Sequence, residues 1–241
     1  MTNLRFAVYL TGAASPYTMD RYGDYGVLFN TFMEIDGEDW QVFDSQKEEY
    51  PDDLSQFDCI LVTGSAADAH ARDPWIIRLE EEIRKAHEQG LYLLGFCFGH
   101  QTIANALGGQ SGRNPAGWEI GIHQMNFTPE FFEQPWAEGI DGIEIIEIHQ
   151  DHVMVAPPGS IVWASTPDTP VQIYTLGDKV LCMQGHPEFT DDVVDDLVET
   201  RRVKGIIPQE KAAKALKSTK ERNADLAKLR LMVNRFIRRS I

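Results

Sequence analysis

An apolar run that ends in a cysteine between two glycines constrains this chain more than any other feature. Residues Leu91–Phe96 are continuously apolar, as expected for a strand inside a parallel sheet. They run into Gly95-Phe96-Cys97-Phe98-Gly99, a G-x-C-x-G sequence. This pattern predicts a nucleophile elbow, in which a strand turns sharply into a helix and presents the central side chain above the carboxyl ends of the strands. A buried structural cysteine is the alternative, but the glycines would then have no obvious role.

Strands alternate with helices through the first hundred residues. This order predicts an α/β fold with a doubly wound, mostly parallel sheet flanked by helices. Apolar residues at helical spacing indicate a helix over residues 24–35, and Asp73-Pro74 indicates the start of another that ends near Gly90. The predicted strands of this half are Phe6–Leu10, Trp40–Phe43, Cys59–Thr63 and Leu91–Phe96.

The second half of the chain has shorter strands joined by turns rich in proline, glycine and aspartate. It predicts a smaller antiparallel section, and Thr190 is expected to cap a helix that begins with two aspartates. With no repeat or linker, we expect a single domain over residues 1–241, with a catalytic body at 4–200 and a basic helical extension at 201–241. The predicted strands are Ile143–Ile148, Ile161–Ala164, Val171–Tyr174 and Val180–Met183.

The net charge of −15 is unevenly distributed along the chain. Residues 1–200 contain 34 acidic residues against 9 lysines and arginines, whereas residues 201–241 contain 3 against 13. The acidic body argues against nucleic acid as the main partner. The basic segment contains an amphipathic pattern that includes Leu229, Val233 and Phe236. We therefore expect it to dock on the acidic body or to form a solvated face, rather than to bind nucleic acid or a membrane.

The three cysteines follow no disulfide-framework spacing, which favours a reduced, cytoplasmic protein. Cys59 and Cys182 lie within apolar strand-like runs and are expected to be buried structural residues. No apolar run is long enough to span a bilayer, and the first residues lack the pattern of a signal peptide, so no membrane association is expected.

A nucleophilic cysteine needs a base, and the base needs a group that orients it. His186-Pro187-Glu188 follows directly after the predicted strand Val180–Met183. Extended geometry across the proline would place the imidazole and the carboxylate on the same side, so that Glu188 could hold one ring nitrogen while the other faces Cys97. Alone, this tripeptide would usually be a surface loop, but its position after a strand makes it a candidate base and orienter.

The other histidines favour structural or surface roles. Cys97 and His100 form a C-x-x-H pair, but a zinc site would need further ligands at suitable spacing, so no metal is expected. His152 is expected in a solvated loop. The chain lacks a G-x-x-x-x-G-K-[ST] phosphate loop, and no cofactor is expected. The histidines expected at the surface or in structural positions are His70, His87 and His123.

The G-x-C-x-G-x-Q elbow and the downstream H-P-E together resemble the class I glutamine amidotransferase family over about residues 4–200. The family's catalytic triad corresponds to Cys97, His186 and Glu188. Within the family, the chain is most similar to stand-alone plant-type γ-glutamyl peptidases. The similar segments are YGDYGVLFNTF (22–32), VTGSAADAHARDPWI (62–76), GFCFGHQ (95–101), HQDHV (149–153) and QGHPEF (184–189).

The resemblance implies further site residues. It places the oxyanion hole at the backbone amides of Ser65 and Phe98, the latter also expected from its place directly after the elbow cysteine. Ala66 stands where many members have proline. The positions implied to bind the γ-glutamyl group are Gly64, Gln101, His149, Gln150 and Asp151.

Three functions are compatible with these features. The one best supported by the resemblance is a cysteine-dependent hydrolase that cleaves γ-glutamyl peptides or glutathione-type conjugates through a γ-glutamyl thioester. The second is a glutaminase subunit that delivers ammonia to a separate synthetase partner. The third is a non-catalytic binding module. The expected partner is a small γ-glutamyl molecule, and the sequence leaves a homo-oligomer open.

Overall fold

The first half of the chain forms four strands and four helices. The computed structural model describes residues 3–33 and 37–238. In chain order the elements are β1 (Arg5–Leu10), α1 (Pro16–Tyr22), α2 (Tyr25–Met33), β2 (Asp39–Asp44), β3 (Cys59–Val62), α3 (Pro74–Glu88), β4 (Tyr92–Phe96) and α4 (Phe98–Ala106).

The second half contains shorter strands, followed by three helices. Short 3-10 helices occur at Pro129–Glu133 and Pro135–Ala137, as well as at Ser45–Lys47 and Leu54–Gln56 in the first half. The remaining elements are β5 (Gln110–Arg113), β6 (Glu119–Gln124), β7 (Asn126–Phe127), β8 (Glu144–His149), β9 (Asp151–Val155), β10 (Ser160–Ser165), β11 (Ile173–Leu176), β12 (Val180–Met183), α5 (Asp191–Val203), α6 (Gln209–Glu221) and α7 (Leu226–Arg238).

Within the described residues, eight strands form one mixed sheet in the order β2-β1-β3-β4-β12-β11-β10-β7. The first five are parallel to one another, and β11, β10 and β7 continue the sheet antiparallel to their neighbours. Strands β5 and β9 form one separate antiparallel pair, and β6 and β8 form another. Because β3, β4 and β12 are adjacent and parallel, the residues that follow them meet at one edge of the sheet.

Alternate residues of the central strands face two apolar layers. Phe6 and Leu94 belong to a core that includes side chains of α2 and α7, whereas Ile60 and Leu93 belong to a core that includes side chains of α3 and α4. The strands are therefore apolar on both faces, as a sheet covered by helices on both sides requires. This confirms the predicted α/β fold with its mostly parallel sheet, antiparallel section and C-terminal helix.

Several predicted boundaries differ from the structure. The helix predicted over 24–35 spans Tyr25–Met33, and its predicted residues Glu34 and Ile35 lie outside the described residues. The strand predicted at Val171–Tyr174 was misplaced, because β11 begins at Ile173. Thr190 precedes α5 as predicted, but its hydroxyl donates to the Asp192 carboxylate and makes no capping bond to the backbone. Strands β5, β6, β7 and β9 were not predicted.

The basic C-terminal segment packs on the acidic part of the molecule. Arg222 forms a salt bridge with Glu144, and Lys228 forms one with Asp141 at 2.8 Å. Phe236 and its apolar neighbours on α7 are fully buried. The expectation that this segment docks on the acidic body is therefore confirmed, although α5 continues across the boundary predicted at residue 200.

The cysteines that were assigned structural positions are buried in the sheet. Cys59 begins β3 and Cys182 lies in β12, and neither is exposed to solvent. Burial raises the pKa of the Cys182 thiol to about 12 and that of Cys59 well above its ordinary value. No helix in the described part of the chain combines the length and the apolar composition needed to cross a bilayer.

Candidate active site

The elbow places Cys97 between β4 and α4 in a strained conformation. Cys97 has φ 51° and ψ −105°, a region that residues with a Cβ rarely adopt. The turn is so tight that a Cβ on Gly99 would lie 2.2 Å from the Val62 carbonyl oxygen, and one on Gly95 would lie 2.8 Å from that of Gly99. Backbone contact therefore explains both glycines of the motif. The Cys97 N–H donates to the Met183 carbonyl at 3.0 Å, which ties the elbow to β12.

His186 and Glu188 form a buried pair just after β12. The His186 Nδ1 and Glu188 Oε1 atoms are 2.8 Å apart, and the imidazole stacks on Phe189 with ring centroids 4.3 Å apart. The His186 N–H donates to the Ile146 carbonyl at 2.8 Å, which fixes the start of the loop. These contacts hold the imidazole in one orientation and leave Nε2 to face away from the carboxylate.

The imidazole of His186 lies beside the elbow. Gly64 touches both groups, because a Cβ at that position would lie 3.0 Å from the His186 Cε1 atom and 3.7 Å from the Cys97 Cβ atom. Burial disfavours the imidazolium, but the charge of Glu188 and the charge and hydrogen bond of Cys97 outweigh burial and raise the pKa of His186 to about 10. The structure therefore brings together the three residues predicted as the triad, with the imidazole protonated at neutral pH.

The predicted oxyanion amides flank the cysteine. Ser65 follows β3, and the loop before it is fixed by Thr11, whose hydroxyl donates to the Gly64 carbonyl at 3.0 Å. Phe98 is the first residue of α4, where helix N–H groups have no partner within the helix. No residue in the described ranges accepts a hydrogen bond from the backbone N–H of Ser65 or Phe98. Both donors are therefore available to a ligand at Cys97.

Two pockets meet at Cys97. The smaller, of about 230 Å³, is lined by polar and charged residues from β5, α4 and the β8–β9 segment. The larger, of about 460 Å³, lies on the His186 side and reaches α1, α2 and the end of α5. Ser65, Cys97 and Arg201 line both pockets, whereas His186 lines only the larger one.

The smaller pocket holds a charged cluster that sequence analysis missed. The Arg113 guanidinium contacts the Asp68 carboxylate at 3.1 Å and the Asp151 carboxylate at 2.8 Å. His70 lies 3.3 Å from the other Asp151 oxygen. One signal was available, because Arg113 is the only lysine or arginine between residues 86 and 178. A cation and two carboxylates in one pocket suit a zwitterionic ligand such as the head of an amino acid.

The same cluster contains the one group of potential metal ligands in residues 3–33 and 37–238. Atoms of Asp68, His70 and Asp151 lie within 4.8 Å of one another. Both carboxylates already contact the Arg113 guanidinium, which places a positive charge where a metal ion would have to bind. The arrangement therefore fits an organic zwitterion better than a metal ion.

Three of the residues implied to bind the γ-glutamyl group lie together at this pocket. The Gln101 side chain donates to the Asp151 carbonyl at 2.9 Å and to the Gln184 side chain at 3.0 Å. The Gln150 side chain accepts a bond from Arg113 at 2.9 Å. Gln101, Gln150 and Asp151 therefore form one network around Arg113.

His149 lines the same pocket, but its ring nitrogens contact protein groups. Nε2 lies 3.1 Å from the Glu119 carboxylate and 3.2 Å from the Glu147 carboxylate, and Nδ1 lies 2.8 Å from the Asp151 carbonyl oxygen. Burial opposes protonation, but hydrogen bonds and the charges of both carboxylates raise the pKa of His149 to about 10. The imidazolium thus fixes the backbone at Asp151. Glu119 and Glu147 were not singled out from the sequence.

The other histidines are distributed differently from the expectation in one case. His152 was expected in a solvated loop, and this is wrong: it lies on β9 and is 6% exposed, because β9 pairs with β5. His100 is completely buried against Tyr174, and burial lowers its pKa to about 3. His123 and His87 are partly exposed, whereas His70 contacts Asp151 at the rim of the pocket.

Comparisons with known proteins agree with this architecture. Residues 29–201 match the model of the family described as glutamine amidotransferase class-I. Gamma-glutamyl peptidase 3 of Arabidopsis thaliana is 33% identical, over 90% of this chain and 89% of its own length. The glutamine-hydrolysing subunit of the GMP synthase of Saccharolobus solfataricus is 30% identical, over 69% of this chain and 85% of its own length.

Solved structures share the fold. The crystal structure of a glutamine amidotransferase from Thermotoga maritima superposes with a TM-score of 0.75 at 19% identity, over 99% of this chain and all of that one. A glutamine amidotransferase from Methylobacillus flagellatus also gives a TM-score of 0.75 at 19% identity, over all of this chain and 96% of that one. From the family model and the sequence relatives, we conclude that this chain belongs to the class I glutamine amidotransferase family.

Proposed function

We propose that this protein hydrolyses γ-glutamyl amide bonds through a thioester on Cys97, and that its substrates are γ-glutamyl peptides. One observation carries the proposal. A cysteine in left-handed backbone conformation at the head of α4 lies beside an imidazole that Glu188 holds at 2.8 Å. Relatives named gamma-glutamyl peptidases, which align over about nine-tenths of the chain, support the choice of substrate.

The first step is nucleophilic attack. The Cys97 thiolate adds to the γ-carbonyl carbon, a C–S bond forms, and the carbonyl oxygen becomes an oxyanion. A neighbouring imidazolium and a helix N-terminus are the surroundings in which cysteine nucleophiles are activated. The amides of Ser65 and Phe98 would stabilise the oxyanion, and loss of one such donor typically costs about 3 kcal/mol of transition-state stabilisation.

The second step is proton transfer to the leaving group. His186 donates its Nε2 proton to the amide nitrogen, the C–N bond breaks, and the free amine departs. His186 then accepts a proton from water as the water oxygen attacks the thioester. The C–S bond breaks, glutamate leaves, and the thiolate is restored. Glu188 keeps the imidazole in the required tautomer and orientation throughout.

The smaller pocket is suited to the γ-glutamyl group. Arg113 would bind the α-carboxylate, and the carboxylates of Asp68 and Asp151 would bind the α-ammonium group. Gln101 and Gln150 position this cluster by their hydrogen bonds to the Asp151 carbonyl and to Arg113. Gly64 leaves space beside the reacting sulfur, because a side chain there would press on the His186 ring.

A glutaminase subunit would use the same acyl-enzyme chemistry, and the Saccharolobus solfataricus relative carries such a name. The two functions differ in the leaving group, which is ammonia in one and an amino acid or peptide in the other. The complete arrangement of Cys97, His186 and Glu188 disfavours a non-catalytic binding module, since such a module has no need of an oriented imidazole.

A substrate panel tests the proposal. The purified protein should release glutamate from γ-glutamyl dipeptides faster than from glutamine, and Cys97→Ala should abolish release while leaving the melting temperature close to that of the wild type. Cys59→Ala, which removes a thiol far from the site, is the matched control and should retain activity. Near-wild-type hydrolysis by Cys97→Ala would refute the assigned nucleophile. A strong preference for glutamine that rises with an added synthetase would favour the glutaminase subunit instead.

A further inference from the structure

We infer that the larger pocket is a carboxylate-binding subsite for the leaving group, formed by Arg201 and Lys204 at the end of α5. The inference rests on the proposed function and narrows its substrates. They would be γ-glutamyl amides whose leaving amine itself carries a carboxylate, as an amino acid or a peptide does. Simple γ-glutamyl amides without this charge, and glutamine itself, would be poorer substrates.

The position of His186 determines which pocket receives the leaving group. Both pockets reach Cys97, where the scissile carbonyl must lie, but only the larger one is lined by His186. Because His186 is the proton donor to the leaving nitrogen, that nitrogen and everything attached to it must lie on the His186 side. The Arg113 cluster on the other side then receives the γ-glutamyl head.

The charges of the larger pocket are selective. Its lining contains the cations Arg201 and Lys204 but no aspartate or glutamate, in a chain with 37 acidic residues. Neither cation forms a salt bridge with any residue in the described part of the chain, whereas the adjacent Arg202 is paired with Glu199. Arg201 is half-buried, and the hydrogen bond it donates to the Leu197 carbonyl is 3.4 Å long. Two unpaired cations in a pocket free of acids are arranged to receive an anion.

The size of the pocket also favours a substantial leaving group. It encloses about 460 Å³, against about 230 Å³ for the pocket assigned to the γ-glutamyl group. Ammonia is about the size of a water molecule, whose share of liquid volume is about 30 Å³. A site that only released ammonia would not require a pocket roughly ten times that size.

A matched pair of substrates isolates the subsite. γ-Glutamyl-alanine and γ-glutamyl-alaninamide differ only in the carboxylate of the leaving group. The wild type should prefer the former by at least about tenfold in kcat/KM, the size expected for a hydrogen bond to a charged group. Arg201 also borders the γ-glutamyl pocket, but any effect there is common to both substrates and cancels in their ratio.

Variants of the two cations should change this ratio. Arg201→Met with Lys204→Met should bring it close to one, and Arg201→Lys should retain most of the preference because it keeps the charge. Lys217→Met removes one positive charge from the exposed face of α6 and should leave the ratio unchanged. An unselective wild type, or a double variant with undiminished preference, would overturn the inference.

A binding measurement separates this inference from the proposed function. Calorimetry with the Cys97→Ala variant compares the affinities of the same two compounds without any turnover. Tighter binding of γ-glutamyl-alanine that disappears in the Arg201→Met/Lys204→Met background would support the subsite, even if the wild type hydrolysed neither compound and the proposed reaction failed. Equal binding of both compounds, together with ordinary turnover of both, would overturn the subsite and leave the proposed hydrolysis intact.

Discussion

The buried cluster beneath the γ-glutamyl pocket gives a prediction of stability. His149 lies between the Glu119 and Glu147 carboxylates, and all three side chains are almost completely buried. We expect His149→Gln, which is similar in size but uncharged, to lower the free energy of unfolding by about 4 kcal/mol, because it leaves two buried carboxylates without a counter-charge.

The magnitude follows from the pKa of His149. The carboxylates raise it from its ordinary 6.5 to about 10 in spite of burial. Each pKa unit corresponds to about 1.4 kcal/mol, so protonated His149 contributes about 4 to 5 kcal/mol. Removal of one partner from a buried ion pair typically costs a similar amount, about 3–5 kcal/mol.

The two carboxylates do not contribute equally to this cost. Glu119 also accepts hydrogen bonds from Thr166, Thr169 and Gln172, and its pKa is about 2 because these bonds and His149 outweigh burial. Neither Glu147 oxygen has a hydrogen-bond donor in the described part of the chain, and burial raises its pKa despite His149. Most of the loss should therefore come from Glu147.

The sign of the pH dependence follows from the direction of the shift. A group whose pKa is raised by folding stabilises the folded state fully below its unfolded pKa, and the contribution is lost as pH rises through the folded pKa. The stabilisation by His149 should thus be complete below about pH 6.5 and decline up to about pH 10. The difference between wild type and His149→Gln should narrow over this range.

Urea unfolding at pH 6 and at pH 9.5 measures these terms. Glu147→Gln in the His149→Gln background should recover a large part of the lost stability, because it removes the uncompensated charge. His123→Gln, on the partly exposed face of β6, is the control and should change stability little. A His149→Gln variant as stable as wild type at pH 6, or a difference that widens at high pH, would refute this reasoning.

Two further predictions concern catalysis. Glu188→Gln should lower kcat by a factor of about 10² to 10⁴ with little change in KM, because the imidazole loses its orienting charge, and steady-state kinetics on a γ-glutamyl dipeptide measures this; a fall confined to KM would contradict the assignment. Arg113→Met should raise KM about tenfold or more for every γ-glutamyl substrate regardless of the leaving group. Calorimetric binding of glutamate checks it, and unchanged affinity would contradict the placement of the γ-glutamyl head.

The catalytic groups could be predicted because their signals are local. The glycines around Cys97 respond to contacts between β4, α4 and β3, and the tripeptide that ends in Glu188 contains both members of the His186 pair. The Arg113–Asp68 contact joins residues 45 positions apart, and neither residue has a local pattern that names its partner. The scarcity of cations in the middle of the chain was the one available indication.

The environment of His149 was also out of reach, although part of it was visible. Glu147 and His149 are two residues apart on β8 and therefore face the same side of the strand. Glu119 is the register partner of His149 on β6, a strand that was not predicted. Without the β6–β8 pairing, a histidine followed by Gln150 and Asp151 suggested direct binding of substrate, whereas its ring supports the backbone beneath the pocket.

The misplaced strand has a comparable cause. The pairing of β10 with β11 contains an irregularity between Val162 and Ala164, which shifts the register of the antiparallel section. Apolar alternation alone places a strand at Val171, whereas the hydrogen bonds begin at Ile173. Bulges of this kind depend on the partner strand and leave little trace in the sequence of either strand.

Trapping of the acyl-enzyme tests the central claim most directly. The protein should be mixed with a γ-glutamyl dipeptide, quenched in acid within one turnover, digested and analysed by mass spectrometry. The account predicts one added glutamyl group on the peptide that contains Cys97, absent from Cys97→Ala and from the peptides that contain Cys59 and Cys182. Hydrolysis that proceeds in the wild type with no such adduct at any quench time, and that persists in Cys97→Ala, would contradict it.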